Sequence, residues 1–202
     1  MKILIATGNA HKAAELAKIL PPHTVGGRQI QYLSLADFPS FQMPEENGAT
    51  LEENAIIKAK AATAAAGLIS LADDTGLMVD ALGGAPGVHS GRYAYPYKTD
   101  HAANNVKLLQ ELKNVPAEKR TARFATIAAM VKPNGEIILK KGSVEGSIAL
   151  DYAGGNGFGY DPLFIVASLG KTLAQLTLDE KNKISHRGAA FAQMADVIRN
   201  LY

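Results

Sequence analysis

Ile3-Leu4-Ile5-Ala6 runs straight into Thr7-Gly8-Asn9-Ala10-His11-Lys12, and the residues that follow carry a helical period. Ala13, Leu16, Ala17 and Leu20 recur at i, i+3, i+4 and i+7, with Asn9 as a good N-cap and Pro21 as the stop signal. A short apolar strand that enters a helix through a small polar loop is the building unit of an α/β fold. The order places His11 and Lys12 in the first helical turn, where the macrodipole is already positive and backbone N–H groups lack partners. Two cations there are unfavourable by up to ~1 kcal/mol each, and an anion over the helix end reverses the sign. The segment therefore reads as a phosphate cradle, although a solvated turn with two mobile cations fits the same residues. The spacing G-x-x-x-x-G-K-[ST] is absent, which excludes a Walker A loop.

Composition narrows the classes. With 202 residues the chain can remove roughly 70% of its unfolded surface from water, enough for one domain or two lobes sharing a core. A net charge of +2, with Lys and Arg scattered along the chain, is too mild for a nucleic-acid stripe. The absence of cysteine removes disulfides and thiolate metal sites and fits a reducing compartment. The first apolar run is far shorter than a signal h-region or the ~20 residues of a membrane span. The expectation is a soluble, cytoplasmic protein with no membrane and no nucleic-acid partner.

Further elements follow from caps and periods. Thr50 and Glu53 form a capping box, Ala55, Ala59, Ala62 and Ala66 make a narrow small-residue face, and Gly67 closes that helix. Leu68 to Ala72 reads as a short strand ending before Asp73-Asp74-Thr75-Gly76, and Gly83-Gly84-Ala85-Pro86-Gly87 as a loop. Asp100 caps a helix carrying Val106, Leu109 and Leu112. Arg123 to Val131 and Ile137 to Ile148 read as strands joined by the hairpin signal Pro133-Asn134-Gly135. A glycine-dense loop from Tyr152 to Pro162 precedes a buried strand, Leu163 to Val166. The last helix begins near Ser185, with Phe191, Met194, Ala195, Ile198 and Leu201 on one face. Helices alternating with strands around an antiparallel hairpin predict a mixed-sheet α/β domain.

Four constellations can carry chemistry. Asp73 and Asp74, at the carboxyl end of a strand, suit Mg²⁺ or the orientation of an attacking water; an Asx-turn uses the same residues. Glu45 and Glu46 form a second acidic pair that is also compatible with plain solvation, and Lys58 is equally two-sided. Phe158-Gly159-Tyr160-Asp161, with glycines at 154, 155, 157 and 159, leaves room for a flat ligand to stack, or for two rings that join the core. Ser185-His186-Arg187 repeats the opening theme of cations at a helix start. It suits the oxygen-bearing edge of a base, a phosphate, or an arginine paired at the surface.

In their order along the chain, Thr7-Gly8-Asn9 with Lys12, Glu45-Glu46, Glu53-Asn54-Ala55 with Lys58, Ala72 to Gly76, Gly83 to Gly87, Phe158 to Pro162, and Lys181 with Ser185 to Gly188 resemble the inosine triphosphate pyrophosphatase family. The resemblance covers essentially the whole chain. It implies one domain over 1–202, a mixed, strongly twisted central sheet flanked by helices, and two lobes with an active-site cleft between them. It further implies a Mg²⁺-dependent homodimer that splits dITP, ITP and XTP at the α–β bond into the monophosphate and pyrophosphate, keeping these purines out of nucleic acid. Thr7, Gly8, Asn9, Ala10, His11 and Lys12 match the triphosphate segment, though His11 sits at a variable position and is assigned no role. Glu46 and Asp74 match the metal carboxylates, Asp74 also the proton acceptor, and Thr75 an adjoining substrate contact where many relatives have Ser. Phe158, Gly159, Tyr160, Asp161, Lys181, His186 and Arg187 match the base-recognition side. Two alternatives stand beside this one: a pyrophosphatase for modified pyrimidine nucleotides, and a non-catalytic nucleotide-binding module, for which both acidic positions would be superfluous.

Overall fold

The chain alternates strands and helices as β1 (Lys2–Ile5), α1 (Ala10–Ile19), β2 (Thr24–Val25), β3 (Arg28–Gln29), β4 (Gln31–Leu33), α2 (Leu51–Ala66), β5 (Ile69–Val79), β6 (Pro86–Gly87) and α3 (His101–Glu111). It continues through β7 (Thr121–Val131), β8 (Ile137–Ile148), β9 (Phe164–Val166), β10 (Lys171–Thr172), α4 (Leu178–Ile184) and α5 (His186–Arg199). This is a computed structural model, and it describes residues 1–20, 24, 25, 27–95 and 99–201. Pro21, read as the stop of the first helix, lies outside them.

The main sheet has the order β10-β9-β8-β7-β5-β1-β4, with β6 paired to β5. β1 runs parallel to β4 and β5, with Leu4 opposite Leu33 and Ser70. β5–β6, β8–β9 and β9–β10 are antiparallel. The predicted mixed α/β sheet is therefore present. Parallel neighbours need helical crossovers, which α1 and α2 supply, whereas β7 and β8 need only the tight turn in which the Gly135 N–H donates to the Lys132 carbonyl.

The chain divides into two compact units, Met1–Asp74 with Thr126–Gly142 and Arg187–Tyr202, and Thr75–Ala125 with Ser143–His186. In the first, Ile3, Leu71, Ala128 and Met130 from the strands pack with Leu16 and Leu20 of α1 and with Phe191, Met194 and Ile198 of α5. That α5 face is the one the period predicts. Helix α2 lies against β1. Its Ala55, Ala59 and Ala62 are fully buried, and the Thr63 hydroxyl donates to the Val131 carbonyl at 3.1 Å. The capping box at Thr50 and Glu53 and the terminating Gly67 are both formed.

The second unit is built on Leu77, Leu108, Leu112, Phe124, Tyr160, Leu163 and Phe164. Arg120 is buried there because its guanidinium donates to the carbonyls of Leu112, Val115 and Ala149, which closes the end of α3 onto β8.

Three expectations are corrected. The buried face of α1 is Glu15, Leu16 and Leu20, while Ala13 and Ala17 are exposed. On α3, Leu112 is buried and Leu109 packs on the core as expected, beside Asn104, Asn105 and Leu108, but Val106 points to solvent. The strand read as ending at Ala72 continues through Asp73, Asp74, Thr75 and Gly76 to Val79. The two aspartates thus lie inside a strand, where successive side chains leave on opposite faces. No described helix is long and apolar enough to cross a membrane.

Candidate active site

The first unit gathers most of the charged candidate-site residues. Asn9 caps α1 as predicted, its side-chain oxygen accepting from the N–H groups of His11 and Lys12, while the Asn9 N–H donates to the Thr7 hydroxyl. These bonds fix the turn and aim Lys12 at Asp73, 2.9 Å away. Gly8 has open space where a Cβ would sit. His11 is exposed.

Asp73 also receives the Arg187 guanidinium, from Nε at 3.3 Å and Nη2 at 3.2 Å. Arg187 in turn donates through Nη1 to Glu15. All of Glu15, Asp73 and Arg187 are almost fully buried. The Asp73 carboxyl is held well below the usual carboxylate range: burial works to raise it, but the Lys12, Arg187 and Lys58 cations outweigh burial. Lys12 is shifted down, because burial outweighs its attraction to Asp73. The two helix starts carrying cations are therefore joined by one carboxylate, and Arg187 is a buried residue, not the surface arginine that the sequence also allowed.

On the neighbouring position of β5, Asp74 accepts from Lys58 Nζ at 2.7 Å, and the same ammonium lies 3.2 Å from Glu46. Lys58 reaches this point because positions 51, 54, 55, 58 and 59 form the buried stripe of α2. Glu46 is held by the loop that enters that helix. Asn54 accepts from the Gly48 N–H at 2.8 Å, and the Glu53 carboxylate accepts from the N–H groups of Ala49 and Thr50. Glu45 is exposed. Burial pushes the Asp74 carboxyl up to about 6 despite the Lys58 cation beside it. Lys58 is raised: burial opposes this, but Asp74 and Glu46 prevail. A carboxyl of that basicity is ionised at neutral pH and can still take a proton from water. Thr75, the next residue of β5, is half-buried.

A divalent cation fits this arrangement. The Glu46 and Asp74 carboxylates already converge on one cation, the Lys58 ammonium. Among the described residues no three carboxylates or imidazoles gather at one point, so the protein offers a small all-oxygen set. Mg²⁺ suits such a set, since it takes one or two carboxylates and completes its shell with water and phosphate oxygens.

The second unit holds the aromatic loop. Asp161 accepts from the Phe158 N–H at 2.9 Å and pairs with Lys181 at 2.5 Å, both side chains being buried. Lys181 Nζ also lies 5.0 Å from the centre of the Phe158 ring, within cation–π range. Gly157 adopts a φ of 76°, and a Cβ there would collide with the Asp161 carboxylate. Tyr160 belongs to the core, and its hydroxyl donates to the Ser90 carbonyl at 2.9 Å. Of the two rings, only Phe158 is partly exposed. His186 is buried and stacks on Phe124, with ring centres 4.6 Å apart and planes inclined by 18°.

These placements bring Lys12 and Arg187 together on Asp73, Glu46 and Asp74 together on Lys58, and Asp161 and Lys181 together on Phe158. The residues that sequence reasoning missed or left undecided are Glu15, Lys58 and Asp73. Glu15 lies one helical turn after Lys12, a spacing that puts both on one face.

The model of the Ham1 family matches residues 3–197. The chain belongs to the Ham1 family. It is 57% identical, over 98% of its length and 100% of the relative's, to a protein of Elusimicrobium minutum named dITP/XTP pyrophosphatase. A protein of the same name from Desulforamulus reducens is 48% identical over 100% of this chain and 98% of the relative. Among solved structures, a HAM1 protein from Coxiella burnetii superposes with a TM-score of 0.87 at 40% identity, over 98% of each chain. The Staphylococcus aureus Ham1 protein gives 0.85 at 39% identity over both full lengths. The resemblance read from the ordered motifs is borne out, and with it the mixed α/β fold.

Proposed function

We propose that this chain is a nucleoside triphosphate pyrophosphatase acting on dITP, ITP and XTP, as a cytoplasmic homodimer whose residues 1–202 work as one catalytic domain. The observation that carries the reading is the convergence of the Asp74 and Glu46 carboxylates on the Lys58 ammonium, at 2.7 Å and 3.2 Å. The names of the similar proteins supply the substrate class.

In this reading the open turn at Gly8 and the N-terminal end of α1 receive the phosphates, with Thr7, Asn9, Ala10 and His11 forming the backbone of that turn and Lys12 supplying positive charge. Thr75, the next residue of β5, offers a hydroxyl to the substrate. Asp74 orients a water and accepts its proton, and Lys58 keeps that carboxylate fixed. Glu46 and Asp74 would hold Mg²⁺, and the ion would supply positive charge against the phosphate oxygens. Phe158 stacks on the base, braced by Gly159, Tyr160 and Asp161. Lys181, His186 and Arg187 provide the donors that read its edge. Hydrolysis of ITP is expected to stop when a chelator removes divalent cations and to return on addition of Mg²⁺. Turnover that persists in chelator would contradict the metal role.

Charge gives a second expectation. Phosphates carry no base identity, so Lys12→Ala is expected to lower kcat/KM for every accepted nucleotide by a similar factor, on the order of 10-fold or more for a charge-assisted contact. Steady-state kinetics with ITP, dITP and XTP check this. A loss that depends strongly on the base would move Lys12 out of the phosphate side.

A further inference from the structure

We propose that Asn105 is a positioning residue that sets the orientation of the Phe158 ring by holding the Gly159 carbonyl. The inference rests on the reading of Phe158 as the surface on which the base stacks.

Helix α3 presents His101 and Asn105, one turn apart, to consecutive residues of the aromatic loop. The His101 ring lies 5.9 Å from the Phe158 ring, tilted by 53°. The Asn105 amide donates to the Gly159 carbonyl at 2.9 Å. Gly159 has a φ of 63°, in the left-handed region, and no side chain. Its peptide is therefore poorly restrained by local sterics, and an external donor decides where the carbonyl points. That carbonyl belongs to the residue directly after Phe158, so a rotation there displaces the ring.

The other half of the same amide is informative. Asn105 is 4% exposed, and its Oδ1 meets no hydrogen-bond donor among the described residues. A buried acceptor without a donor carries a desolvation cost, which a leucine of similar volume would not incur. Reversing the amide would set Oδ1 against the Gly159 carbonyl oxygen, so the orientation is determined by the one bond that exists. The preceding residue makes the contrast. Asn104 accepts from the Ala94 N–H at 2.7 Å and donates to the carbonyls of Ser90 and Gly91, so its amide is used on both sides. Asn104 ties the 90–94 segment to α3, whereas Asn105 spends its single bond on the aromatic loop.

The test is Asn105→Leu in the full chain, with steady-state kinetics on ITP beside inhibition by inorganic tripolyphosphate, which has no base. Misplacing the platform is expected to raise KM for ITP about tenfold, within the range that base–aromatic stacking supplies, with kcat unchanged within about twofold. The tripolyphosphate inhibition constant is expected to stay within about twofold, because the phosphate side does not use this loop. The thermal midpoint is expected to change little, since removal of the unmatched acceptor offsets the loss of the bond to the Gly159 carbonyl. Phe158→Ala is run alongside and is expected to raise KM at least as much. If Phe158→Ala raises KM and Asn105→Leu does not, this inference alone falls. If Phe158→Ala also leaves KM unchanged, the stacking role of Phe158 falls and takes the inference with it. Parallel rises in KM and in the tripolyphosphate constant, with a lower midpoint, mean a general structural role and overturn the proposal. Should Asn105→Leu not fold, the isosteric Asn105→Asp, which also lacks the donor, is read against the same outcomes.

Discussion

Asp74→Asn is expected to lower turnover of ITP by at least ~10²-fold while the protein stays folded, since general base catalysis alone is typically worth 10²–10⁴. Each factor of ten corresponds to about 1.4 kcal/mol of barrier, so the loss amounts to roughly 2.7 kcal/mol or more. Asparagine keeps the size and one acceptor oxygen but cannot take the proton and is a poor ligand for a hard cation. The fold tolerates the exchange for a reason visible in the ion pairs. Lys58 retains Glu46 when Asp74 is neutral, so no buried cation is left alone. Removing the charge also relieves the burial that pushes this carboxyl up to about 6. Circular dichroism and a thermal scan check the fold, and turnover with Mg²⁺ checks the chemistry. Near-normal turnover by the folded variant would remove Asp74 from its assigned role.

Much of the architecture is legible in local signals. The capping box at Thr50 and Glu53, the N-caps at Asn9 and Asp100, the hairpin at Pro133-Asn134-Gly135 and the apolar face of α5 each satisfy backbone groups or bury surface within a few residues of themselves. The failures share a different physical origin. Asp73 and Asp74 read as a turn because aspartate is a poor strand former and favours local backbone bonds. They stand inside β5 because their charges are answered from other elements, Asp73 by Lys12, 61 positions earlier, and Arg187, 114 later, and Asp74 by Lys58, 16 positions earlier. No window around the pair contains that compensation. Glu15 was passed over on α1 for the same reason: hydrophobic periodicity treats an ionised side chain as solvent-facing, and only the Arg187 guanidinium reverses this. On α3 only Val106 departs from the expected apolar stripe, and two buried asparagines share the face with Leu108 and Leu112.

The candidate site shows the same division. The phosphate turn and the aromatic loop were visible as motifs, because small residues and caps leave a pattern. What each charged side chain does within them was not visible. Lys181 and Asp161, matched to the base-recognition side, also pair with each other and clamp the loop around Phe158. Tyr160 supplies core packing and a bond to Ser90. These roles depend on three-dimensional pairing, which spacing along the chain does not encode.

Base selectivity is the other large expected effect, and it bears on the central claim. Stacking on Phe158 is nearly blind to which purine is present, so rejection of ATP and GTP has to come from donors that face keto oxygens. An amino group in place of the oxygen leaves such a donor opposed by another donor, and discrimination of this kind reaches about 10⁴–10⁵ without an editing step. ATP differs from ITP by an amino group at position 6, and GTP from XTP by one at position 2. Lys181 and Arg187 carry only donor groups, His186 can offer one ring N–H, and all three are buried, which strengthens each mismatch. The decisive measurement incubates the protein with Mg²⁺ and equal amounts of ITP, XTP, ATP, GTP and dUTP, and assays pyrophosphate and single phosphate separately. The account predicts pyrophosphate from ITP and XTP and far less from the other three. Release of single phosphates, comparable rates on ATP, activity confined to dUTP, or no turnover of any triphosphate would contradict it.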